Sequence, residues 1–357
     1  MDRYRIDGHK LYWHLDRVRD WQAQRLIPPV YMEISPVSYC NHRCIFCGVD
    51  FAMLERFQLD ADILCGRLKE MGSIGVRSVM FAGEGEPLLH KDITRLIRTA
   101  KKVGMDVSMT TNGTIRDPRL WKDILPHLTW ARFSVDAGSA KVYDKVHNAG
   151  PEAFHKTVDS IREAVRTKRR MGLGVTIGVQ FLIIDENRDD AGKTIKLFSD
   201  LGVDYVSLKP YSLHPQMMRK KKVVYRKETI DRVGRIAESL RRNNRTAVIF
   251  RKDAMEKYAD KSLPFSRCRA LPFWGYISSR GDFYTCSVFI GDKRFKAGNI
   301  YRQDMKAILF GKLRKSSIAF GERQLGIKDE CRMNCRMARI NEFLEFLDNK
   351  PEHINFI

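Results

Sequence analysis

The stretch Tyr31-Met-Glu-Ile-Ser-Pro-Val-Ser-Tyr-Cys40-Asn-His-Arg-Cys44-Ile-Phe-Cys47 carries a strand and a thiol cluster in immediate succession. Tyr31–Ser35 is a short apolar run of the kind that a buried strand needs. The cysteines follow on the loop that leaves it. Three thiolates so close together can converge on one metal centre. Structural zinc takes four ligands, so a zinc reading needs His42 or His9 as the fourth. A [4Fe–4S] cluster has four irons, and three cysteines leave one iron open to a small ligand.

Outward from this loop, strands and helices alternate. Further strand-like runs stand at Val76–Ala82, Met105–Thr111, Trp130–Val135, Gly174–Ile183 and Asp204–Lys209. Helical patterns occupy Leu59–Met71, Lys91–Val103, Pro118–Leu125, Pro151–Arg170, Asp189–Leu201 and Lys227–Arg242. Six strand-then-helix units predict a parallel sheet, open or closed into a partial barrel. Its chemistry should lie on loops at the carboxyl ends of the strands. Residues 1–30 read as a lead-in with an amphipathic stretch (Leu11, Trp13, Leu15, Val18, Trp21), closed by Pro28-Pro29. Beyond about 263 the chain reads as a small irregular unit. A hairpin is expected there (Trp274–Ser278, turn Arg280-Gly281-Asp282, Phe283–Val288), then a turn at Gly298-Asn299 and helices near Arg302–Gly311 and Cys331–Leu347. Its few apolar residues predict a unit stabilised by metal.

Composition narrows the class. With 43% hydrophobic and 30% charged residues over 357 positions, the chain is globular, neither disordered nor collagenous. It is long enough to bury a large core without staples. No run of ~18 apolar residues exists to span a membrane, and the charged N-terminus lacks an apolar signal region. A cytoplasmic location is therefore expected, where the eight Cys would bind metal or do chemistry. The net charge of +21 fits either plain solubility or an anionic partner: nucleic acid, a nucleotide, a phosphorylated metabolite or a membrane surface. Residues 214–251 hold twelve Lys/Arg against three Asp/Glu, and Arg219-Lys-Lys-Lys222 is either a solvated loop or a phosphate clamp. A second cysteine set, Cys268, Cys286, Cys331 and Cys335, suits a closed centre, either zinc or a fully ligated iron–sulfur cluster. Cys65 is left over, among Ala61, Leu64, Leu68 and Met71 on a predicted helix, where a buried inert thiol is the default.

The C-x3-C-x-aromatic-C pattern of Cys40, Cys44, Phe46 and Cys47 resembles the signature of the radical S-adenosylmethionine (SAM) superfamily. The resemblance implies that the three Cys and SAM together ligate a [4Fe–4S] cluster, whose electron cleaves SAM to a 5′-deoxyadenosyl radical. Phe81-Ala-Gly-Glu-Gly-Glu-Pro-Leu-Leu-His90 looks like the family's Gly-Gly-Glu segment for the methionine ammonium, with Glu84 where Gly is usual. Glu84, Glu86 or the main-chain carbonyls of Gly83–Gly85 would serve; carboxylates and carbonyls both suit an ammonium. Thr111 and Asn112 close the third strand, and Ser134 and Asp136 the fourth, where the family contacts ribose and carboxylate. Each alone could equally be a turn or cap residue. Gln180 and Lys209 are further candidates for that pocket. Cys268, Gly281, Cys286 and Gly298-Asn299-Ile300 resemble the SPASM/twitch domains attached to such enzymes, and four Cys fit the shorter twitch form with one auxiliary [4Fe–4S] cluster. The fold expected is α/β, a partial (β/α)6 TIM-like barrel with a small C-terminal twitch domain of hairpin and helix. Its parts are an N-terminal extension (1–30), the barrel (31–213), a basic linker and helix (214–262) and the auxiliary-cluster domain (263–357).

Hydrogen abstraction from an unactivated C–H would follow. Electron loss to the auxiliary cluster gives dehydrogenation of an alcohol; hydrogen donation from a thiol gives epimerisation; radical attack on a peptide gives a cross-link. Cys65 is the one spare thiol, and Tyr211 or Tyr276 would have to replace it as donor. His214, Glu84 or Lys209 could accept the proton lost in dehydrogenation. The spacing resembles twitch enzymes that oxidise sugars and aminocyclitols. The expected substrate is a hydroxylated carbohydrate-like molecule, anionic if nucleotide- or phosphate-activated. The expected redox partner is an external one-electron donor such as flavodoxin or ferredoxin. A peptide maturase is the alternative within the family; a zinc protein that binds nucleic acid is the alternative outside it.

Overall fold

The computed structural model describes Tyr4 and residues 9–115, 117–241, 245–260 and 263–355. The expected N-terminal extension, basic linker and C-terminal unit each include residues outside that set, as does Arg242 at the expected end of one helix. Helix α1 (Leu15–Gln22) precedes strand β1 (Tyr31–Ile34). Then follow α2 (Ala61–Ile74), β2 (Ser78–Phe81), α3 (Ile93–Lys102), β3 (Asp106–Thr111), α4 (Pro118–Ile124), β4 (Trp130–Ser134), α5 (Ala140–His147) and α6 (Glu152–Arg170). Next come β5 (Thr176–Ile183), α7 (Ala191–Leu201), β6 (Tyr205–Pro210), α8 (Lys227–Arg241), β7 (Ala247–Phe250) and α9 (Lys252–Ala259). The C-terminal part adds β8 (Trp274–Ile277), β9 (Asp282–Tyr284), β10 (Lys296–Asn299), α10 (Met305–Leu309), α11 (Lys312–Arg323), α12 (Ile327–Glu330) and α13 (Ala338–Asp348).

Local chemistry explains the boundaries of these elements. Asp60 caps α2 by accepting from the backbone N–H of Asp62 and Ile63, and Gly75 ends it in the left-handed region. Along α3, Ile93, Leu96, Ile97 and Ala100 are buried at helical spacing, which lays one face on the sheet. Strand β5 is buried over all but its first residue, as a central parallel strand must be when helices cover one face and side chains fill the other.

Among the described residues the strands form one sheet in the order β10-β9-β8-β1-β2-β3-β4-β5-β6-β7. Every pairing from β8 through β7 is parallel, and β8, β9 and β10 pair antiparallel. The sheet ends at β7 and β10 and stays open, so this is a partial TIM-like barrel with a C-terminal extension. Two strands extend the expected six. Strand β7 lies inside the basic stretch, where its four residues Ala-Val-Ile-Phe were hidden by charge on both sides. Strand β8 is the first arm of the expected hairpin, and it also pairs with β1, matching Tyr31 with Trp274 and Glu33 with Tyr276.

The C-terminal unit also departs from expectation in having a core of its own. Phe265, Leu271, Trp274, Tyr276, Tyr284, Val288, Phe289 and Phe295 are buried together, with the Phe289 and Phe295 rings stacked 4.1 Å apart. Aromatic rings supply in area what the unit lacks in number of apolar residues. Cys331–Cys335 precedes α13 instead of lying on it, and α11 occupies residues expected to be irregular. In the lead-in, Leu11 and Val18 are buried beside Leu344 of α13, whereas Trp13 and Leu15 are exposed. Arg314, fully buried, donates to the carbonyls of Ile27, Leu309 and Pro272 and so fastens the lead-in, α10 and the turn before β8 together. No described helix is long and apolar enough to cross a membrane.

Candidate active site and its two cysteine sets

Strand ends β1 to β6 open on one cavity of about 340 Å³. Its lining includes Cys40, Cys44, Phe46 and Cys47, the Gly83–Glu86 segment, Thr111, Asn112, Ser134, Asp136, Gln180, Lys209 and His214. The structure therefore brings together these sequence-selected residues, and Tyr211 and Tyr276 with them. Cys65 is placed elsewhere. It is buried between α2 and α3, 3.3 Å from Thr99 Oγ1, in the helical layer outside the sheet.

The cysteine loop is fixed from several sides. The backbone N–H groups of Arg43 and Ile45 donate to the carbonyls of His147 and Val146 at the end of α5. Cys40 Sγ accepts from the His42 N–H at 3.4 Å and lies 3.8 Å from Asn112 Nδ2. Asn112 Nδ2 also donates to Asn41 Oδ1 at 2.7 Å, so Asn112 braces the loop. His147 Nε2 donates to the Val135 carbonyl, which leaves Nδ1 facing Cys44 Sγ at 3.1 Å. Burial pushes the Cys40 thiol up to about 12, with the Glu86 carboxylate adding to it, and raises Cys44 and Cys47 as well.

The loop after β2 lies directly on the cysteine loop, and two glycines make this possible. Gly83 has φ +113, and a Cβ there would stand 2.6 Å from Ser35 Cβ; a Cβ on Gly85 would stand 2.2 Å from the Tyr39 carbonyl oxygen. Both carboxylates of this loop are engaged by the protein. Glu86 accepts from Thr111 Oγ1 at 2.6 Å and from the N–H groups of Asn112 and Leu88. Glu84 accepts from Tyr276 O–H at 3.1 Å and from Ser279, so the C-terminal unit holds it. Burial raises both carboxyls, against the pull of these bonds.

Asp136 is buried with φ +55, accepts from the Leu182 N–H and lies 3.5 Å from His147 Nε2. Burial raises its carboxyl to about 7, opposed by that bond and by Lys209. His214 spends both ring nitrogens on structure: Nε2 donates to the Ser287 carbonyl and Nδ1 accepts from the Gln216 N–H. Burial lowers it to about 4. The Lys209 amine makes no hydrogen bond to another described residue. Burial, then the charges of Arg132 and Arg251, hold its amine well below the ordinary lysine range.

Sequence reasoning passed over Arg132, Glu33, His147, Tyr276 as a partner of Glu84, and Arg336. Arg132 was findable, since it stands two residues before Ser134 and strand alternation puts both on one face. Glu33 and Arg336, an ion pair between β1 and the segment after Cys335, carry no local signal.

The second cysteine set is assembled from three segments. Cys331 and Cys335 hydrogen-bond; burial, then the nearby Cys286 and Cys335, raises the Cys268 thiol, and burial, then Cys335, raises that of Cys286. Cys335 itself is lowered by the Cys331 bond and by Arg332 and Arg336. Its Sγ accepts from the Met337 N–H, and Asn341 Nδ2 lies 3.7 Å from Cys268 Sγ.

Among the described residues no three Cys, His, Asp or Glu groups converge tightly enough for a single metal ion. A multi-iron cluster has its thiolates on separate irons and does not need one point of convergence. N–H donors aimed at Cys40, Cys268 and Cys335 sulfurs fit thiolate ligands of such a cluster. Buried thiols with raised values are ligands that give up their protons when metal binds.

An open parallel sheet with a three-thiol loop over its strand ends defines a cofactor-dependent α/β protein whose site combines an iron–sulfur centre and a small organic ligand. Residues 34–198 match the family model described as Radical SAM superfamily, and the chain carries a radical SAM domain. SAM and a [4Fe–4S] cluster are the cofactors of such a domain. A probable GTP 3′,8-cyclase from Saccharolobus islandicus (strain M.14.25 / Kamchatka #1) is 30% identical over 185 residues, covering 52% of this chain and 57% of that protein. A probable GTP 3′,8-cyclase from Sulfurisphaera tokodaii is 26% identical over 205 residues, covering 57% and 62%. The chain thus spans less than two thirds of the curated relatives it matches. Among solved structures, Streptococcus suis SuiB bound to precursor peptide SuiA aligns with TM-score 0.67 at 17% identity over 96% of this chain and 79% of that one. Native anSMEcpe with bound AdoMet aligns with TM-score 0.62 at 17% identity over 88% and 89%. At these identities the structural likeness shows the fold.

Proposed function

We propose that this chain is a radical SAM enzyme that dehydrogenates an alcohol carbon of a small, carbohydrate-like substrate, with the four C-terminal Cys holding an auxiliary [4Fe–4S] cluster as electron acceptor. One observation carries the reading: both cysteine sets border the same barrel interior. Cys40, Cys44 and Cys47 line the 340 Å³ cavity. Cys335 lines a second chamber that shares Met80, Arg132, Gln180, Lys209 and Arg336 with it. A substrate between them has a radical source on one side and an electron sink on the other.

Bound at Cys40, Cys44 and Cys47, the cluster and SAM supply a carbon radical that removes a hydrogen atom from substrate. The chain's own residues would do the rest. Cys40, Cys44 and Cys47 would hold the cluster, and Phe46, the Gly83–Glu86 segment, Thr111, Asn112, Ser134, Asp136 and Gln180 would shape the SAM pocket. A cluster held by Cys268, Cys286, Cys331 and Cys335 would supply the one-electron acceptor, and the Lys209 amine, its proton affinity lowered by burial, would take the hydroxyl proton as the alcohol carbon becomes a ketone. His214 and Glu84 are committed to structural partners, so Lys209 is the base that remains. Epimerisation needs a hydrogen-atom donor instead. Cys65 lies in the helical layer, Tyr276 O–H is given to Glu84 and Tyr211 O–H to Met217, which favours oxidation.

Anaerobic reconstitution tests this. A brown protein that bleaches with dithionite, releases 5′-deoxyadenosine and moves deuterium from a labelled carbinol carbon into it, with a keto product, is expected. A colourless protein with stoichiometric zinc ends the enzyme reading. An inverted alcohol ends the oxidation reading, and a rearranged nucleotide would place the chain with the activity named for its curated relatives.

A further inference from the structure

In both cysteine sets a sulfur accepts a backbone N–H at 3.4 Å, Cys40 from His42 and Cys335 from Met337. Side-chain amides set them apart. Asn112 Nδ2 lies 3.8 Å from Cys40 Sγ but has nearer acceptors for its two hydrogens, Asn41 Oδ1 at 2.7 Å and His42 Nδ1 at 2.9 Å. Asn341, fully buried on α13, is arranged differently. Its Oδ1 accepts from the N–H groups of Arg269 and Ala270 at 2.7 and 2.8 Å, which fixes which end of the amide is oxygen. Nδ2 is thereby turned on the residue just before them, with Cys268 Sγ at 3.7 Å. A carboxylate would serve those two N–H groups by stronger, charge-assisted bonds. What an amide has and a carboxylate lacks is the N–H toward the sulfur.

We propose that Asn341 is a positioning residue that makes the C-terminal centre the more oxidising of the two, by donating to the Cys268 sulfur. This rests on the reading that the four C-terminal Cys hold an auxiliary cluster. One added electron places part of its charge on the thiolate sulfurs. An N–H aimed at a sulfur stabilises that reduced form more than the oxidised one and so raises the potential. No bond of the chain is made or broken: the electron comes from the substrate radical, and the proton that leaves with it goes to Lys209. A dry core strengthens the effect, because water does not screen the amide dipole there. At the Cys40 loop the nearer acceptors take up the Asn112 hydrogens, so that sulfur has less of this support and its centre stays the stronger reductant.

EPR-monitored redox titration of the anaerobically reconstituted full chain tests this, with Cys44→Ala assigning which signal belongs to the C-terminal centre. In Asn341→Leu the reduced-to-oxidised ratio of that centre at a fixed poise should fall about tenfold, which is about 59 mV for one electron. Tm should fall as well, since two N–H groups lose their acceptor. Ser266→Ala controls for that loss. The Ser266 hydroxyl ties the same loop to Glu345 of α13 without a sulfur, so its removal should lower Tm and leave the potential unchanged. Asn341→Asp keeps an acceptor for both N–H groups; it should hold Tm while lowering the potential at least as far, and it decides the case if the Leu variant does not retain its iron. An unchanged potential, or an equal shift in Ser266→Ala, overturns the proposal and leaves the auxiliary cluster standing. Zinc, or no metal, on the C-terminal set of the parent protein overturns the acceptor reading itself, before any variant is compared.

Discussion

Cys40, Cys44 and Cys47 share one loop, whereas Cys268, Cys286, Cys331 and Cys335 are gathered from three segments of a separate aromatic core. The first set lines the 340 Å³ cavity with all three of its members; of the second, Cys335 alone lines the adjoining chamber. Three thiols at a cavity leave a place for a ligand to enter, and four thiols in a core close the centre. A local loop suits a centre that must meet substrate and cofactor, since its neighbours can be cavity residues. A centre that only takes an electron tolerates burial, which also protects it from water.

Single thiol substitutions should separate the two sets most strongly. Cys44→Ala should abolish SAM cleavage and remove the iron of one cluster. Cys335→Ala should also lose one cluster's iron yet keep reductive SAM cleavage while product formation disappears. Equal loss of cleavage in both variants, measured as 5′-deoxyadenosine per hour, would erase the distinction between source and sink.

The joint between the regions comes next. Glu84 leaves the loop after β2 and is held by Tyr276 and Ser279 of the C-terminal unit, so the wall of the cavity proposed for SAM is finished by the later part of the chain. Glu84→Ala leaves those donors unsatisfied and should cost about 2–3 kcal/mol of stability, the scale of lost hydrogen bonds to a charged group. KM for SAM should rise on the order of tenfold at the same time, which is about 1.4 kcal/mol. Lower stability with unchanged KM would show that the tie serves folding alone.

His214 joins the loop after β6 to Ser287, beside Cys286. The unfolded chain takes up a proton near 6.5, and the folded site holds out to about 4. Between those values the unfolded state binds more protons, so stability falls as pH drops from 6.5 toward 4 and is level above. Its share is on the order of 3 kcal/mol at most. In His214→Gln the slope of denaturation free energy against pH, measured by urea titration, should be shallower by that one proton; an unchanged slope would show that the site does not exclude the charge.

Much of the frame was legible because it is local. Strand runs such as Trp130–Val135 and helices such as Pro151–Arg170 differ from the observed β4 and α6 by a residue or so, since alternation and capping act within one element. Strand β7 was missed because four apolar residues between basic neighbours are too few to outweigh them. In the site, Cys40, Glu86, Asn112 and Asp136 were visible as polar residues at strand ends. What Glu84 bonds to, and what Glu33 pairs with, depends on β8 settling beside β1, a contact between segments far apart in sequence. No periodicity reports such a pairing.

The smallest effect belongs to the thiol that neither region uses. Cys65 is buried against α3 with its sulfur near Thr99 Oγ1, and it borders neither chamber. Cys65→Ala removes one buried sulfur from a packed helical layer, a loss of about 1 kcal/mol that appears as a modest drop in Tm. Turnover should stay within about twofold of the parent, because a ΔΔG of that size leaves nearly all molecules folded. A fall in product greater than tenfold at unchanged Tm would mean that this sulfur meets the substrate radical. Hydrogen return, and with it inversion of the alcohol, would then replace electron loss to the C-terminal cysteines.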